Sequence, residues 1–574
     1  MSIDFKSAKK FVGRDKEKGI YLILAIIVAY DLFRAATHIL GPTYLSEDFA
    51  YVLSAFSVLR GYINIGFSID STRILQYLPI ALFYRLFGIN IYTSSAWNVI
   101  AYIGTVIITF FVGKEVYNSK AGLVAALLIS FFTPVVKNSV TVGINEAMMF
   151  FVSLAMLAVL YGHDKRSAYW IFAAGFLAVM AQLTIPIALI ALLGTVIYVL
   201  VEYLRKNISI RIVSWFFAGI IVAALIVALF SYANTGDPLV IIHQNSVYYS
   251  NLSMTSTTYG IIGNVPSHFQ NQSGNNLIAY LMFYPNMMFN FYILHAIRNA
   301  IFTKNLNPVS IWNNAYKINT NNDGLYFYAV LLASLILLIL EDKKVYFPLL
   351  WLGVGLGFLD FAPMSISLFP FRYILSFRAL RYTTAVAVPI AVILSIAIVR
   401  IMQGDQSPKQ NGHRHRKEEE YKKVIRGIAA VAIIVFLVAT SIPLNEMWYQ
   451  FVKFQIYPLQ VISNYLNTRS NISGIFVESN SYLFMTVYLN RNNSDILYQY
   501  SPSYNCTDME PGSYIIIPNI TSLGLTSSTV FMENATKVCP NLKLVMTVNA
   551  TRSQTSLLYG ISPLSYQEKL YYYS

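Results

Sequence analysis

The chain has 574 residues, of which 56% are hydrophobic and 12% are charged, and its mean hydropathy is +0.53. A soluble domain carries about 25% charged residues, so this composition excludes a soluble enzyme and predicts long apolar segments in lipid. The formal net charge of +14 is explained by the positive-inside rule and by lipid headgroups, and it gives no reason to expect a nucleic-acid partner.

Residues 1–19 form a charged arm, "MSIDFKSAKKFVGRDKEKG". The arm has no small-residue cleavage site of the kind that ends a signal peptide. We therefore expect a cytoplasmic arm in front of a retained first span.

Residues 20–445 read as an all-α polytopic membrane domain, because apolar runs long enough to cross a bilayer recur along them. Eleven spans are predicted, at about 20–39, 93–113, 121–136, 145–162, 168–184, 186–203, 212–232, 324–340, 345–362, 384–402 and 426–443. An odd number of spans puts the N-terminus in the cytoplasm and the C-terminus outside. The arm, the short turns and the basic linker 403–423 that this topology places inside hold more than half of the 41 lysines and arginines, as the positive-inside rule requires.

Three long outer loops follow from this topology, at 40–92, 233–323 and 363–383. Two apolar stretches inside them, 73–88 and 275–297, are ambiguous. We interpret both as helices that lie in the outer interface, with Arg and Tyr at their ends. The alternative, in which both cross the membrane, would turn the region between them inside out.

Residues 446–574 differ in composition and predict a small extracytoplasmic α/β domain. Short apolar strands alternate there with polar turns, as in "GIFVES", "SYLFMTVYL", "SYIIIPNI", "LKLVMTV" and "TSLLYGI". The segment also contains six Asn-x-Ser/Thr acceptor sites for glycans, which agrees with an outside location. Its two cysteines, Cys506 and Cys539, are candidates for one disulfide or for two unpaired thiols.

Glu47 and Asp48 stand at the start of "EDFAYVLSAFSVLRG", whose apolar residues recur at helical spacing. A carboxylate at the beginning of a helix is favoured by the helix dipole, so these acids fit a helix cap. A carboxylate near the bilayer boundary also fits a general base. Taken alone, the stretch favours the cap.

A second acid, Glu146, opens the fourth span on the same predicted face, where several cations also gather. Three arginines lie within "LFPFRYILSFRALRYTT", and arginine is suited to bidentate contact with phosphate. The candidate phosphate-binding residues are Arg60, Arg73, Lys137, Arg372, Arg378 and Arg381, and His38, Tyr44 and His243 are candidate contacts for an acceptor or a sugar. An interfacial belt rich in arginine and tyrosine is the alternative interpretation.

The order of these motifs resembles the GT-C glycosyltransferases, and among them the protein O-mannosyltransferases and the polyprenol-linked aminoarabinose transferases. Those enzymes have an acidic pair after the first span, which reads "EDFAYVLSA" here, then an interfacial helix ending in Leu-Phe-Gly, here "QYLPIALFYRLFG". An acid then opens a later span, as in "GINEAMMFF". The pair is Glu-Asp here rather than Asp-Glu, so the sequence does not decide which acid acts.

The resemblance implies transfer of a sugar from a polyprenyl (dolichyl) phosphate to an acceptor hydroxyl on a protein, lipid or glycan at the outer face. Glu47, Asp48 and Glu146 are then the expected catalytic residues, and the cations named above hold the donor phosphate. No cofactor is implied with certainty, and the participation of a divalent metal stays open. A lipid or solute transporter and a non-catalytic surface scaffold are the alternatives, but the predicted spans are almost free of the mid-membrane charges of a transporter.

Overall fold

The computed structural model describes residues 5–42, 48–63, 65, 68–255, 324–340, 345–361, 363–368, 371–375, 380–403, 413–478, 485–489, 497–500, 509–519, 539, 541–551 and 565–573. Several predictions fall outside these residues. They are the interfacial helix 275–297, the strand "TSLLYGI" and the candidate residues Tyr44, Glu47, Arg378 and Cys506.

Most of the described chain is helical. The helices are α1 (Phe5–His38), α2 (Asp48–Leu59), α3 (Ile74–Phe87), α4 (Ile91–Val116), α5 (Ser119–Phe131), α6 (Thr133–Ser139), α7 (Asn145–Asp164), α8 (Ala168–Met180), α9 (Leu189–Leu204), α10 (Ile210–Thr235), α11 (Val240–Thr255), α12 (Gly324–Ile339), α13 (Tyr346–Phe361), α14 (Ala387–Gln403) and α15 (His413–Asn467). Each of the eleven predicted spans coincides with one of these helices or with a helix pair.

Within the described residues, seven helical segments are long and apolar enough to cross a membrane. They are Lys18–His38, Ile91–Val116, Asn145–Asp164, Pro186–Leu204, Ile210–Thr235, Thr383–Gln403 and Glu420–Ile442. The bent pair α5–α6 supplies an eighth, and the predicted spans at α8, α12 and α13 are shorter apolar helices. The chain is a multi-pass membrane protein of helical fold, as its composition predicts.

The pair α5–α6 bends by 64°. Phe132 takes an extended backbone conformation between the two helices, and Pro134 stands in the first turn of α6. Pro134 donates no backbone hydrogen bond, so the hydrogen-bond ladder of α5 cannot continue through it and the chain leaves the direction of α5 at Phe132. The bend turns α6 away from α5, and the connection to α7 follows α6.

Helix α3 has 14 residues, which span about 21 Å, less than the ~30 Å hydrocarbon core. This length agrees with the predicted interfacial position of residues 73–88. The helix ends at Gly88, whose φ is +78°, and α4 begins two residues later with Asn90 in a capping box with Thr93. Glycine reaches positive φ without strain, which makes this sharp turn between the two helices available.

The C-terminal part contains a mixed five-stranded sheet. Its strands, in the order β4-β3-β5-β7-β6, are β3 (Ile475–Glu478), β4 (Leu497–Tyr500), β5 (Ser513–Asn519), β6 (Leu542–Thr551) and β7 (Ser565–Tyr573). β3 pairs in parallel with β4 and β5, and the remaining pairs are antiparallel. A two-stranded hairpin, β1 (Pro363–Leu368) and β2 (Phe371–Leu375), lies in the predicted outer loop 363–383.

Two details differ from the sequence-based predictions. The predicted strand "SYLFMTVYL" is wrong at its described end, because residues 485–488 form a helical turn in which Leu489 N donates to Met485 O at 2.8 Å. Met485 and Leu489 are buried in one cluster with residues of the sheet, so tertiary packing overrides their strand-like alternation.

Helix α15 also continues without a break past residue 446, where the soluble domain was expected to begin.

The sheet packs on one end of the membrane helices, called the domain side below. Leu40, Phe49 and Val140 share a buried cluster with Ile456 of α15 and with residues of the sheet. The Tyr488 hydroxyl donates to Leu40 O at 2.6 Å. The end of α1, the start of α2 and the α6–α7 connection therefore lie on the domain side.

Helices α8 and α10 are in close backbone contact through two glycines. A Cβ on Gly219 would overlap the carbonyl oxygen of Phe172, and a Cβ on Gly175 would overlap that of Phe216. Small residues permit such close packing in lipid.

We expect Gly219→Val to destabilise the protein by about 1–3 kcal/mol, the usual cost of overpacking, and thermal unfolding in detergent measures this loss.

The control is Gly427→Val in α15, because nothing lies within 4 Å of a Cβ at Gly427. Both variants add the same side chain to a membrane helix. Equal unfolding midpoints for the two would contradict the close α8–α10 contact.

Candidate functional site

The connection between α6 and α7, residues 140–144, organises the domain side. Leu40 N donates to Val140 O at 2.9 Å, and Gly41 forms a parallel β-bridge with Thr141. These contacts fix the chain just after α1 beside the connection. Asp48 follows a few residues later in the sequence.

Asp48 is the first residue of α2 and is buried, with 5% of its surface exposed. Its Oδ1 lies 3.8 Å from the position that a Cβ on Gly143 would occupy. A carboxylate in the first turn of a helix is stabilised by the helix dipole. Asp48 is thus held against the α6–α7 connection at the start of its helix.

Glu146 stands in the first turn of α7, three residues after Gly143, and is completely buried. Neither of its carboxyl oxygens has a hydrogen-bond partner among the described residues. Burying a carboxyl group without partners costs several kcal/mol if the group is charged. Because folding gains nothing from such a group, its presence three residues after Gly143, beside which Asp48 lies, favours a functional role.

Arg34 is the basic residue whose electrostatic attraction reaches Glu146. Its guanidinium donates to Ser130 O at 2.9 Å and to the Tyr102 hydroxyl at 2.5 Å, and it pairs with Asp31 at 3.4 Å. The Ser130 hydroxyl in turn donates to Asp31 at 2.6 Å. This network joins α1, α4 and α5 and fixes one positive charge inside the membrane domain.

Two buried amides hold the α6–α7 connection in place. Gln76 Nε2 donates to Val142 O at 2.7 Å and to Asn98 Oδ1 at 3.0 Å. Asn98 Nδ2 donates to Gly143 O at 2.5 Å and to Asn138 O at 3.3 Å. We call Gln76 and Asn98 the amide clamp. The clamp ties α3 and α4 to the backbone that lies between Asp48 and Glu146.

The candidate phosphate-binding residues of the first outer loop differ in their surroundings. Arg73 is buried, pairs with Asp70 at 3.0 Å and donates to the Tyr51 hydroxyl. Its guanidinium is therefore held within the α2–α3 region. Arg60 is exposed in the turn that follows α2.

Of the later arginines, Arg372 and Arg381 lie in described elements. Arg372 is on β2, opposite Ser367 of β1. Arg381 is on the 3₁₀ helix Leu380–Val386, which packs against α7 and α6. This contact brings the segment that contains Arg381 to the helix that contains Glu146.

The two described histidine candidates, His38 and His243, contact different parts of the chain. His38 Nδ1 donates to Arg34 O at 3.0 Å, and its ring packs edge-on against Tyr449 at 4.5 Å. His243 is exposed and contacts Asp237 at 2.7 Å in the first turn of α11. The backbone N–H of Leu239, and then His243, hold the pKa of Asp237 below its usual value. Asp237 and His243 therefore cap the start of α11.

No group of three or more His, Cys, Asp or Glu side chains that could hold a metal is present among the residues described. In the C-terminal part, Cys539 is disulfide-bonded. The sequence has one other cysteine, Cys506.

Residues 74–232 match the family model for dolichyl-phosphate-mannose-protein mannosyltransferases. The chain resembles the GT-C glycosyltransferases, as its motifs predict. The matched segment runs from α3 into α10 and includes the amide clamp, the α6–α7 connection and Glu146. No curated protein sequence matches the chain.

Solved structures similar to this chain include the apo form of ArnT from Cupriavidus metallidurans. That match has 10% identity and a TM-score of 0.47 and covers 95% of this chain and 97% of ArnT. ArnT bound to undecaprenyl phosphate gives 11% identity and a TM-score of 0.48 over the same shares. The apo oligosaccharyltransferase of Archaeoglobus fulgidus has 12% identity and a TM-score of 0.47, and the match covers 87% of this chain and 69% of that protein.

The amide clamp generates a prediction on stability. Gln76→Leu and Asn98→Leu should each destabilise the protein by about 1–3 kcal/mol, because each leaves buried carbonyl groups without donors. The double variant should lose less than the sum of the two, since both side chains belong to one network. Thermal unfolding of the four proteins measures the coupling.

Gln450→Leu is the matched control, since Gln450 is exposed and its side chain donates to Glu446 one turn away. It should change the unfolding free energy by less than about 0.5 kcal/mol. Strictly additive losses from Gln76→Leu and Asn98→Leu would show that the two amides do not act as one clamp.

Proposed function

We propose that this protein transfers a sugar from a polyprenyl phosphate to an acceptor hydroxyl on the extracytoplasmic face of the membrane. One observation carries the proposal. Asp48 and the buried Glu146, whose carboxyl oxygens have no hydrogen-bond partner among the described residues, both lie at the short α6–α7 connection, which the amide clamp holds. The family match over residues 74–232 supports the class of reaction.

The reaction needs few groups from the protein. The acceptor oxygen attacks the anomeric carbon, the bond from that carbon to the phosphate oxygen breaks, and the acceptor proton passes to a carboxylate. The phosphate leaves with a charge that it already has, so cations assist its departure without a proton donor. What remains is to place the acceptor and to take its proton.

The acidic residues divide these tasks in the proposal. Glu47 or its neighbour Asp48 is the base, and the Glu-Asp order leaves open which of them acts. Glu146 orients the acceptor or tunes the base, with Arg34 as the nearby positive charge. Burial of Glu146 costs free energy of folding, but it also keeps a reacting carboxyl group away from water.

The donor phosphate is proposed to meet Arg372, Arg378 and Arg381, with Arg60 at the rim. The packing of the 3₁₀ helix Leu380–Val386 on α7 supports this choice. Arg73 is less suited, because Asp70 and Tyr51 already hold its guanidinium. Lys137 is on α6 and lines a cavity with His38.

The sidedness of the reaction rests on charge. Four helices, α4, α7, α9 and α14, each have one end that lies away from the domain side. A basic residue lies in or directly after each of these ends: Lys114, Lys165, Arg205 and Arg400. The positive-inside rule assigns such ends to the cytoplasm. The domain side, with the sheet, Asp48 and Glu146, is then extracytoplasmic.

We expect Glu146→Gln to lower the transfer rate by about 10²–10⁴-fold, the range in which a positioned acid or base contributes. Glu47→Gln should abolish transfer if Glu47 is the base, and Asp48→Asn should do so if Asp48 is. The measurement is transfer from a radiolabelled polyprenyl-phosphate sugar by purified, reconstituted protein. Unfolding midpoints near that of the unmodified protein show that each variant folds.

The control variant is Glu510→Gln, an exposed residue of the C-terminal domain, which should transfer sugar at the unmodified rate. Full activity in both Glu47→Gln and Asp48→Asn would overturn the proposed base. Full activity in Glu146→Gln would remove Glu146 from the site.

The donor class is tested with a panel of sugars on polyprenyl phosphates. We expect transfer from a monophosphate-linked sugar and none from the matching nucleotide sugar, because the site lies at the membrane boundary and the donor carries its own lipid. Transfer from the nucleotide sugar alone would reject the polyprenyl-phosphate donor. Comparing the transfer of different sugars from the same polyprenyl phosphate then identifies the sugar that the protein transfers.

A further inference from the structure

The tripeptide Asn-Ile-Ser occurs twice in the chain, at residues 207–209 and 471–473. An asparagine followed two positions later by serine or threonine is the acceptor sequence for N-linked glycans, provided that proline does not lie between them. Asn207 and Asn471 are both exposed. Since the two acceptor sequences are identical, only their surroundings can make one of them a modification site and exclude the other.

Asn207 lies directly after the basic end of α9 and before the start of α10. The span Pro186–Leu204 ends three residues before it, so Asn207 is close to the level at which the chain leaves the lipid. Asn207 Nδ2 donates to Glu202 Oε2 at 2.6 Å, and Asn207 N donates to Glu202 O at 2.9 Å. The amide nitrogen that a glycan would have to occupy is therefore engaged by a carboxylate near the membrane surface.

Asn471 lies in the turn between α15 and β3, far along the chain from the nearest span. That span, Glu420–Ile442, is the first part of α15, and the helix continues through residues 443–467. At about 1.5 Å per residue this continuation is about 37 Å of helix, longer than the ~30 Å hydrocarbon core itself. The turn is separated from the membrane by that length of helix and lies with the sheet on the domain side.

The turn is attached to the sheet by the two residues that follow Asn471. Ile472 is partly buried against the cluster that α15 shares with the sheet. Ser473 N donates to Gly512 O at 3.2 Å, and Ser473 Oγ donates to Pro511 O at 2.8 Å. Asn471 itself stays exposed, so a glycan on its amide would not displace a packed side chain.

We propose that Asn471 is an N-glycosylation site and that Asn207 is not. The site rests on one part of the proposed function, the extracytoplasmic position of the domain side, because N-linked glycans are attached to chains on that side of the membrane. It does not depend on the transfer of sugar by this protein. The basic end of α9 puts Asn207 on the opposite side.

The modifying enzyme is a separate oligosaccharyltransferase, and its donor is an oligosaccharide linked to a lipid through phosphate. Asn471 Nδ2 forms a bond to the anomeric carbon of the oligosaccharide, and the bond from that carbon to the phosphate oxygen breaks. The phosphate leaves with its lipid and keeps the bonding electrons. Nδ2 gives up one proton to a base of the modifying enzyme.

Site-resolved mass spectrometry of the purified full chain tests the proposal. The chain is produced in cells whose oligosaccharyltransferase modifies Asn-x-Ser/Thr sequences on the extracytoplasmic side. Trypsin releases residues 207–211 and 470–491, each of which contains a single acceptor asparagine. We expect a glycan mass on peptide 470–491 and the unmodified mass for peptide 207–211. A glycan on 207–211, or its absence from 470–491, would overturn the proposal.

Two variants assign the glycan to its residue. Asn471→Gln should remove the glycan mass from peptide 470–491, because the acceptor amide is lost. Asn464→Gln is the matched control, since Asn464 is exposed on α15 but is followed two positions later by Leu466, and this variant should keep the glycan. A glycan mass that persists in Asn471→Gln belongs to another residue and would reject Asn471 as the site.

Cysteine labelling separates the modification from the sidedness. Intact cells that produce Asn471→Cys or Asn207→Cys are treated with a membrane-impermeant maleimide, and the unmodified chain gives the background from its native cysteines. Labelling of Asn471→Cys alone, with no glycan on the unmodified chain, would reject the modification and leave the sidedness standing. Labelling of Asn207→Cys alone would reject both. A glycan on Asn471 in a protein that transfers no sugar would reject the proposed transfer alone.

Discussion

The hydrogen bonds from Gln76 and Asn98 to the α6–α7 connection are the constraint on which the domain side depends. Residues 140–144 have no regular secondary structure of their own, yet their carbonyl groups are buried among helices. Buried carbonyls need donors, and two side-chain amides from α3 and α4 supply them. With that backbone fixed, Leu40 pairs with it from one side and Asp48 approaches Gly143 from another.

The same region concentrates groups that oppose folding. Glu146 is buried, and Asp31 and Arg34 bring a pair of charges into a membrane span. Ser130 and Tyr102 satisfy much of the Asp31–Arg34 pair, whereas no described residue forms a hydrogen bond with the Glu146 carboxyl group. A structure optimised for stability alone would replace Glu146 by an apolar residue of similar volume. Its retention is understandable if the acid acts on a ligand that supplies its missing partners.

The sequence predicted the helices and the residue types of the site because lipid imposes simple rules. A span must be long and apolar, and an exception such as Glu146 or the Asp31–Arg34 pair is visible against that background. Gln76 and Asn98 were missed because an amide within an apolar helix has no periodic signal and its partners are distant in sequence. The helical turn at 485–488 was missed for a related reason, since its burial against α1 and the sheet decides its conformation. Asp31 and Arg34, three residues apart in α1, were the one available hint of the network.

Arg34 links the acidic residue of its own helix with the surroundings of Glu146. Its two terminal nitrogens bond Ser130, Tyr102 and Asp31. A planar guanidinium cannot turn toward one partner without changing its geometry to the others. A change at any one of these partners would therefore move the positive charge that attracts Glu146, with no movement of a domain.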